Sequence, residues 1–402
     1  MYENEMERLL ELYMSGLYGS PYYAKQVSGK DCFTSYEQFQ SIPFSYKEDI
    51  RESSIMDRTA TKSGDIFGIF SSSGTTGNKT YYIYNKKDKI VHESFVKTYL
   101  TEIGIIPSDI GGIMAPIDTG VMAHTMMWEF TTMGASYVNC PEPSPHNMIS
   151  VLDAVPVTVI ATRPNVVSSP IYTPELIGRF RKSSVNKLIL GGGFLSSERR
   201  KLIEYLWDAK CFNLFGMSEM FGPMAAECQM RDGLHYLDNY LMIELIDPTT
   251  GKPVPSGEPG VAVYTTLWDK GFPLLRYWTD DYMLLDHENC KCGSQHPRLR
   301  YLGRLGDCHK TDDGRFVFPE QVENILFSNN LCGEYYIDIQ PECIIVSAEN
   351  VPAPYSSLTA DSYLVEDGLQ ELFGANDIKL NLVPAGTFAP NAHGKRFANP
   401  KA

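Results

Sequence analysis

Nowhere in this sequence is there a block of lysine and arginine: 35 basic residues stand against 49 acidic ones, for a formal net charge of −14 over 402 residues. A nucleic-acid surface needs clustered cations, so that class of partner is excluded. Long apolar runs are missing too. No stretch approaches the roughly 20 residues that cross a bilayer, and residues 1–30 carry Glu3, Glu5, Glu7 and Arg8 where a signal peptide needs an apolar centre. The expectation is a cytoplasmic protein with no membrane partner. Cysteine is scarce, at nine residues. An odd number in a long chain without an export signal argues against a disulfide framework. Cys32, Cys140, Cys211, Cys332 and Cys343 read as small core residues. Internal repeats and low-complexity blocks are absent.

What is present is ordinary globular material, 43% hydrophobic and 21% charged, enough for a large domain with a smaller one. Residues 3–17 read as an amphipathic helix, with Met6, Leu9, Leu10, Tyr13, Met14 and Leu17 on one side. Ser45 is a candidate N-cap, with Glu48 three residues on. From Gly68 the order turns α/β. Strands are expected at 68–70 and 81–84, buried strands at 157–161 and 187–190, and a helix at 196–207. A β-rich section follows at 241–246, 261–265 and 282–285. A Gly-, Asp- and Lys-rich stretch at 302–314 marks the best boundary, and a compact α+β unit follows it.

The most informative stretch is Ser71-Ser72-Ser73-Gly74-Thr75-Thr76-Gly77-Asn78-Lys79-Thr80. Its glycines let the backbone approach a ligand, its hydroxyls and N–H groups can surround phosphate oxygens, and Lys79 adds a cation. It is not a Walker P-loop, because Asn78 separates Gly77 from Lys79. Further pieces follow in order: Gly191-Gly192-Gly193 after a strand, then Phe212-Asn213-Leu214-Phe215-Gly216-Met217-Ser218-Glu219. Arg276 to Asp281, Gly303-Arg304-Leu305-Gly306-Asp307 and a closing stretch at 386–395 complete the set. Cys290 and Cys292 with Cys228 and His235 make a Cys₃His set that suits tetrahedral Zn²⁺, with His287 and His296 as competing fourth ligands.

Taken together, these pieces resemble the adenylate-forming (acyl-CoA synthetase and luciferase-like) superfamily over nearly the whole chain, and in particular its phenylacetate–CoA ligase branch. The runs at 219–228 and 233–235, and Cys290-Lys291-Cys292-Gly293 leading to His296-Pro297-Arg298, carry the branch resemblance. It implies an α/β fold with a large N-terminal domain of mixed sheets and helices (1–304) and a small mobile C-terminal α+β domain (305–402). It also implies ATP, Mg²⁺ and a small carboxylic acid, activated as an acyl-adenylate with pyrophosphate release, with CoA as acceptor. Ser72, Ser73, Gly74, Thr75, Thr76, Gly77 and Lys79 would hold phosphates. Gly191, Gly192, Gly193, Phe215, Gly216 and Met217 would border the adenine, Ser218 and Glu219 would place phosphate and Mg²⁺, and Asp281 would bind the ribose. Arg304 would sit at the hinge, and Lys395 would reach the α-phosphate. Some members of the branch carry a metal on the Cys₃His set, and a homodimer fits the branch as well.

Three departures keep the acceptor open. Gly306 stands where the hinge motif usually has an acid, Asp312 and Asp313 occupy the loop before Gly314, and Trp278 replaces a usual arginine. Two carboxylates near that loop would repel the phosphates of CoA, so an amine or a protein (carrier) thiol is the alternative acceptor. Residues 115–120, His124 and Trp128 are expected to border the acyl pocket. Asp118 there would meet an amine on an amino or aminoaryl acid, or is simply solvated. A nucleotide-binding relative without catalysis would keep the Ser/Thr loop and lose Glu219 or Lys395; both are present.

Overall fold

The passage from strand to helix at Asn85 shows how local sequence sets the elements. In the computed structural model, which describes residues 9, 20–27, 35–59, 61–72, 79–115, 121–340, 342–358, 360–374, 377–388 and 397–398, helix Lys86–Glu102 opens with a capping box. The Asn85 side chain accepts from the Lys87 and Asp88 amides, and Asp88 returns the favour to Asn85 N at 2.7 Å. Ser196 caps helix Ser197–Trp207 through Arg199 N. Ser45 departs from expectation. Helix Lys47–Glu52 has Tyr46 at its cap position, with no side-chain cap bond. The Ser45 hydroxyl instead donates to Leu275 O at 2.9 Å, while its carbonyl accepts from Trp278 N at 2.9 Å. A tertiary bridge to a distant strand has displaced the local cap. Of the helix expected at 3–17, Leu9 alone is described, and it is helical and buried; the rest lies outside the described residues.

The chain divides into two units. One comprises Met1–Ile105, Ile117–Met133 and Leu214–Tyr301. Its strands are antiparallel: Leu241–Ile246, Gly260–Thr266 and Tyr277–Asp286 pair in that order, and Gly222–Glu227 pairs with Leu234–Tyr236. A separate hairpin joins Ile66–Ser71 to Tyr81–Asn85. The core is rich in rings, with Tyr23, Phe39, Tyr82, Tyr84, Tyr264 and Tyr277 all buried in it.

The other unit comprises Ile106–Pro116, Gly134–Asn213 and Leu302–Ala402. Strands Ser136–Asn139, Ile110–Ile113, Val159–Thr162 and Lys187–Gly191 lie parallel in that order. Val159–Thr162 is buried at every residue, as a central parallel strand covered on both faces should be. The C-terminal segment adds helices Pro319–Ser328 and Ser362–Phe373 and a four-stranded sheet ordered Ile378–Val383, Ile344–Glu349, Tyr335–Ile339, Phe397–Ala398. One core runs from Phe180, Leu202 and Trp207 into Leu326, Tyr335 and Val365. Arg199 bridges the two parts inside that core, donating to Glu323 at 2.9 Å and to Glu334 at 3.2 Å. The protein is thus an α/β molecule with a smaller C-terminal α+β segment. Its compact units follow a different line from the composition change at 302–314, because the 302–402 segment shares its core with residues 134–213.

Candidate active site and a cysteine–histidine cluster

Strand Lys210–Met217 runs into a one-turn 3-10 helix, Ser218–Met220, and returns as Gly222–Glu227. The turn is tight enough that Met217 pairs with Gly222. A Cβ on Gly216 would lie 2.3 Å from the Gly222 carbonyl oxygen, which is why glycine stands there. The turn completes itself at Phe221, whose φ is +66°, an unusual value for an aromatic residue. This hairpin presents Phe215, Gly216, Met217 and Ser218 half-buried at its end and buries Glu219 completely behind them. The Phe215 ring rests on Tyr301 at 5.2 Å.

Glu219 Oε1 lies 3.1 Å from the Lys47 ammonium and accepts from the Tyr82 hydroxyl at 2.8 Å and the Tyr277 hydroxyl at 3.1 Å. Tyr84 donates to the Ser218 carbonyl. Burial pushes the Glu219 carboxyl upward, but Lys47 and the Tyr82 hydroxyl outweigh it and hold the group at about 2. The carboxylate is therefore ionised and positioned. An ionised carboxylate of this kind is a ligand type that suits a hard divalent cation such as Mg²⁺.

Asp281 is brought inward by an irregularity. Val261 pairs with Tyr282, but Val263 pairs with Trp278, so strand Tyr277–Asp286 bulges opposite Ala262. Asp280 takes up the bulge at φ +62°, and the Thr279 hydroxyl ties it down by donating to Ala262 O and accepting from Asp281 N. Asp281 ends buried, 3% exposed. Trp278 packs on Phe44 and Tyr46 and donates to Asp280. The Ser/Thr loop springs from a clamp in which Ser72 N donates to Thr80 O and Thr80 N to Ser72 Oγ. Lys79 is exposed. Ser73, Gly74, Thr75, Thr76 and Gly77 lie outside the described residues, as does Asp118.

Of the other expected residues, Gly191 is buried at the end of its strand, while Gly192 and Gly193 are exposed. Arg304 is exposed at the end of strand Arg298–Arg304, and Lys395 lies outside the described residues. In the loop at 308–314, Asp313 is engaged: Arg315 Nε donates to it at 2.7 Å and the Thr311 hydroxyl bonds it as well. One of the two carboxylates expected to repel CoA is thereby already paired with a cation. Around His124 and Trp128 is a cluster of rings. Phe70 meets His124 at 5.7 Å, Phe67 meets Trp128 at 5.1 Å, and Phe221 meets Tyr84, His92 and Trp128 at 4.5, 5.3 and 5.7 Å.

Sequence reasoning missed Lys47, Tyr82 and Tyr277. A signal existed for the first. A lysine opening a helix sits at the positive end of the macrodipole, a local conflict that implies a tertiary partner, here Glu219. Nothing local marks the two tyrosines, since a tyrosine in a buried strand reads equally as core.

The four residues of the Cys₃His set come together. Their ligand atoms all lie within 4.8 Å of one another, and Cys228, His235 and Cys290 are buried. Cys228 Sγ and Cys290 Sγ are 3.8 Å apart, and Cys292 Sγ is 3.4 Å from His235 Nε2. The sulfur separation is far too long for a disulfide and close to the edge of a Zn²⁺ tetrahedron, about 3.8 Å for two sulfurs each at about 2.3 Å from the ion. His235 Nδ1 donates to the His296 carbonyl at 2.8 Å, leaving the Nε2 lone pair facing the thiols. His296 therefore serves through its backbone, while its ring pairs with Asp238 at 2.9 Å.

No protein-family model matches the chain. Among solved structures, a 2-hydroxyisobutyryl-CoA ligase carrying an acyl-AMP superposes with a TM-score of 0.82 at 20% identity, covering 98% of this chain and 89% of that one. The fold is that of the adenylate-forming CoA ligases. A phenylacetate–coenzyme A ligase of Thermus thermophilus is 31% identical over 339 residues, 79% of this chain and 72% of the relative. One of Aromatoleum evansii is 25% identical over 84% and 78%. The chain belongs to the phenylacetate–CoA ligase branch of these AMP-forming acid ligases.

Proposed function

We propose that this protein activates a small aryl or amino carboxylic acid with ATP as an acyl-adenylate, releases pyrophosphate, and passes the acyl group to CoA. The observation that carries the reading is the hairpin at Ser218–Glu219, where an ionised, buried carboxylate stands behind a half-buried turn, in a chain related at 31% identity to a phenylacetate–coenzyme A ligase. When an acid's carboxylate attacks the α-phosphate, two anions meet, and fixed cations must offset their repulsion. In this reading Lys395 supplies one of them, with Ser72–Gly77 and Lys79 on the phosphates, Ser218 and Glu219 holding phosphate and Mg²⁺, and Asp281 on the ribose. Mg²⁺, when bound, would neutralise the charge developing on the phosphates. Phe215 to Met217 and Gly191 to Gly193 would line the adenine, and residues 305–402, hinged at Arg304, would serve as the mobile lid. The pairing of Asp313 with Arg315 favours CoA over an amine or carrier thiol, since it lessens the repulsion that argued against CoA.

The test is pyrophosphate release from ATP and Mg²⁺ across aryl and amino acids, with and without CoA, in wild type and Lys395→Ala. Release that requires one acid and falls roughly 10²–10³-fold in the variant supports the reading. No release with any acid overturns it.

We further propose that Cys228, His235, Cys290 and Cys292 hold a structural Zn²⁺, since four protein ligands leave no open position for catalysis. One zinc per chain in the purified wild type, lost in Cys290→Ser, is the expected result; wild-type protein free of metal would count against it.

A further inference from the structure

The four members of the Cys₃His cluster are not equally placed. Cys228, His235 and Cys290 are buried, while Cys292 is exposed, between exposed Lys291 and Gly293. A Cβ built on Gly293 meets nothing within 4 Å, so the approach to this part of the loop is open. Backbone amides orient two of the sulfurs: Met230 N donates to Cys228 Sγ and Ser294 N to Cys292 Sγ, each at 3.4 Å. All four ligand atoms lie within 4.8 Å of one another, so any chemistry that starts at Cys292 starts beside two further thiols.

The cluster also fastens the strands that support the candidate active site. Cys228 directly follows strand Gly222–Glu227, whose first residue pairs with Met217 across the turn of Ser218 and Glu219. Ala226 pairs with His235, and His235 in turn with Arg298. Cys290 and Cys292 lie in the loop between strands Tyr277–Asp286 and Arg298–Arg304. The first of those strands carries Asp281 and Tyr277, whose hydroxyl donates to Glu219. One metal ion would thus tie the return strand of the Glu219 hairpin to the strand that holds two of the other site residues.

Resting on the zinc reading above, we propose that Cys292 is a site of oxidation by hydrogen peroxide, that Cys228 resolves it as a disulfide, and that the resulting loss of Zn²⁺ loosens the Ser218–Glu219 hairpin and slows adenylation. The exposed sulfur is the one a peroxide reaches, and a resolving thiol beside it is the arrangement of a redox-sensing cysteine. In the first step the Cys292 thiolate attacks peroxide: an S–O bond forms, the O–O bond breaks, and hydroxide leaves and is protonated to water. The sulfur is oxidised by two electrons to a sulfenic acid and the peroxide is reduced. In the second step the Cys228 thiolate attacks that sulfur: the S–S bond forms, the S–O bond breaks, and a second hydroxide leaves as water. Two thiolates, one peroxide and two protons become one disulfide and two waters, and Zn²⁺ departs unchanged. Cys228 is the resolving residue because Cys290, with one residue between it and Cys292, would have to close a small, strained ring. Cys290 and His235 then remain, too few ligands for a structural zinc site.

The experiment treats the reduced, zinc-loaded wild-type chain with hydrogen peroxide and follows zinc with a chromophoric chelator, the thiols by alkylation and peptide mass mapping, and residues 215–227 by hydrogen exchange. Release of zinc in step with a Cys228–Cys292 disulfide, faster exchange in the hairpin and a severalfold fall in pyrophosphate release, all reversed by dithiothreitol with Zn²⁺, is the expected result. Cys343→Ser, which alters a half-buried thiol outside the cluster, should respond as wild type does. Zinc retained with Cys292 unmodified, or a disulfide that joins Cys290 to either partner, overturns the assignment and leaves the zinc site standing. A Cys228–Cys292 disulfide with unchanged hairpin exchange overturns the link to the active site. Reduced protein without zinc removes the zinc reading, and this inference with it. Absence of pyrophosphate release with every acid removes the adenylation reading alone, since zinc, disulfide and exchange still decide the rest.

Discussion

Two buried carboxyls a few helices apart meet opposite fates, and the difference lies in their partners. Glu219 has Lys47 and stays ionised. Because its folded pKa of about 2 lies below its ordinary value, its contribution to stability is complete above about pH 4.5 and is lost as pH falls toward 2, a term on the order of 3 kcal/mol. Lys47→Met should therefore destabilise by about 3–5 kcal/mol at pH 7, with the deficit shrinking below about pH 4.5 and closing only as pH falls to about 2; denaturant unfolding at pH 7 and near pH 2 measures it. Glu129 has no cationic partner among the described residues. Burial raises it to about 7, the Tyr99 hydroxyl opposes that only in part, and Oε1 has no partner among the described residues. Here the folded value lies above the ordinary one, so the group costs stability progressively from about pH 4.5 up to 7. Glu129→Gln should be close to neutral at pH 4.5 and stabilising at pH 8, by up to about 3 kcal/mol. A variant that is equally or less stable than wild type at pH 8 would contradict this assignment.

At the scale of elements, local signals were read where they decide the outcome. Ser196 capping Ser197–Trp207 and the fully buried strand Val159–Thr162 are both set by neighbours in sequence. The Cys₃His residues and Glu219 were also visible, because their residue types are rare and their spacing is distinctive. What stayed hidden is geometry imposed from a distance: Ser45 bonding Leu275, the bulge that turns Asp281 inward, and the left-handed Phe221. No pattern in a single stretch says which strand will lie alongside it. Two glycines make the contrast testable. Gly216→Ala must push back the Gly222 backbone, so it should lower unfolding temperature and abolish most adenylation. Gly178, inside helix Pro174–Arg181, has nothing within 4 Å of a built Cβ, and Gly178→Ala should add about 0.5–1 kcal/mol. Calorimetry on the pair, with pyrophosphate release, checks both directions.

On the scale of the molecule, residue 199 is where the C-terminal segment is held within its unit. Arg199 is 2% exposed and serves Glu323 and Glu334, while Ser196 adds a hydrogen bond to Glu323 at 2.5 Å. Nearby, Glu349 takes the Tyr172 hydroxyl at 2.6 Å. Removing the cation leaves two buried carboxylates without it, so Arg199→Met should lose about 3–5 kcal/mol in urea unfolding; a loss below 1 kcal/mol would show that the carboxylates find other relief. If residues 305–402 swing between half-reactions, as the proposed lid must, these contacts open with each turnover. The same variant should then change the rate of adenylation and of acyl transfer to different extents, which single-turnover measurements of each step would resolve.

The shared core between residues 134–213 and 302–402 also bears on how such proteins can be recombined. A graft made at the composition change near residue 304 would part Leu202 and Trp207 from Leu326 and Tyr335, and Arg199 from both of its glutamates. Exchanging C-terminal segments between relatives is therefore an exchange of half a core, and the donor segment must bring an acid opposite position 199 and a matching apolar face. Inheritance in this branch is expected to keep the two stretches together as one module, although more than a hundred residues of sequence separate their centres.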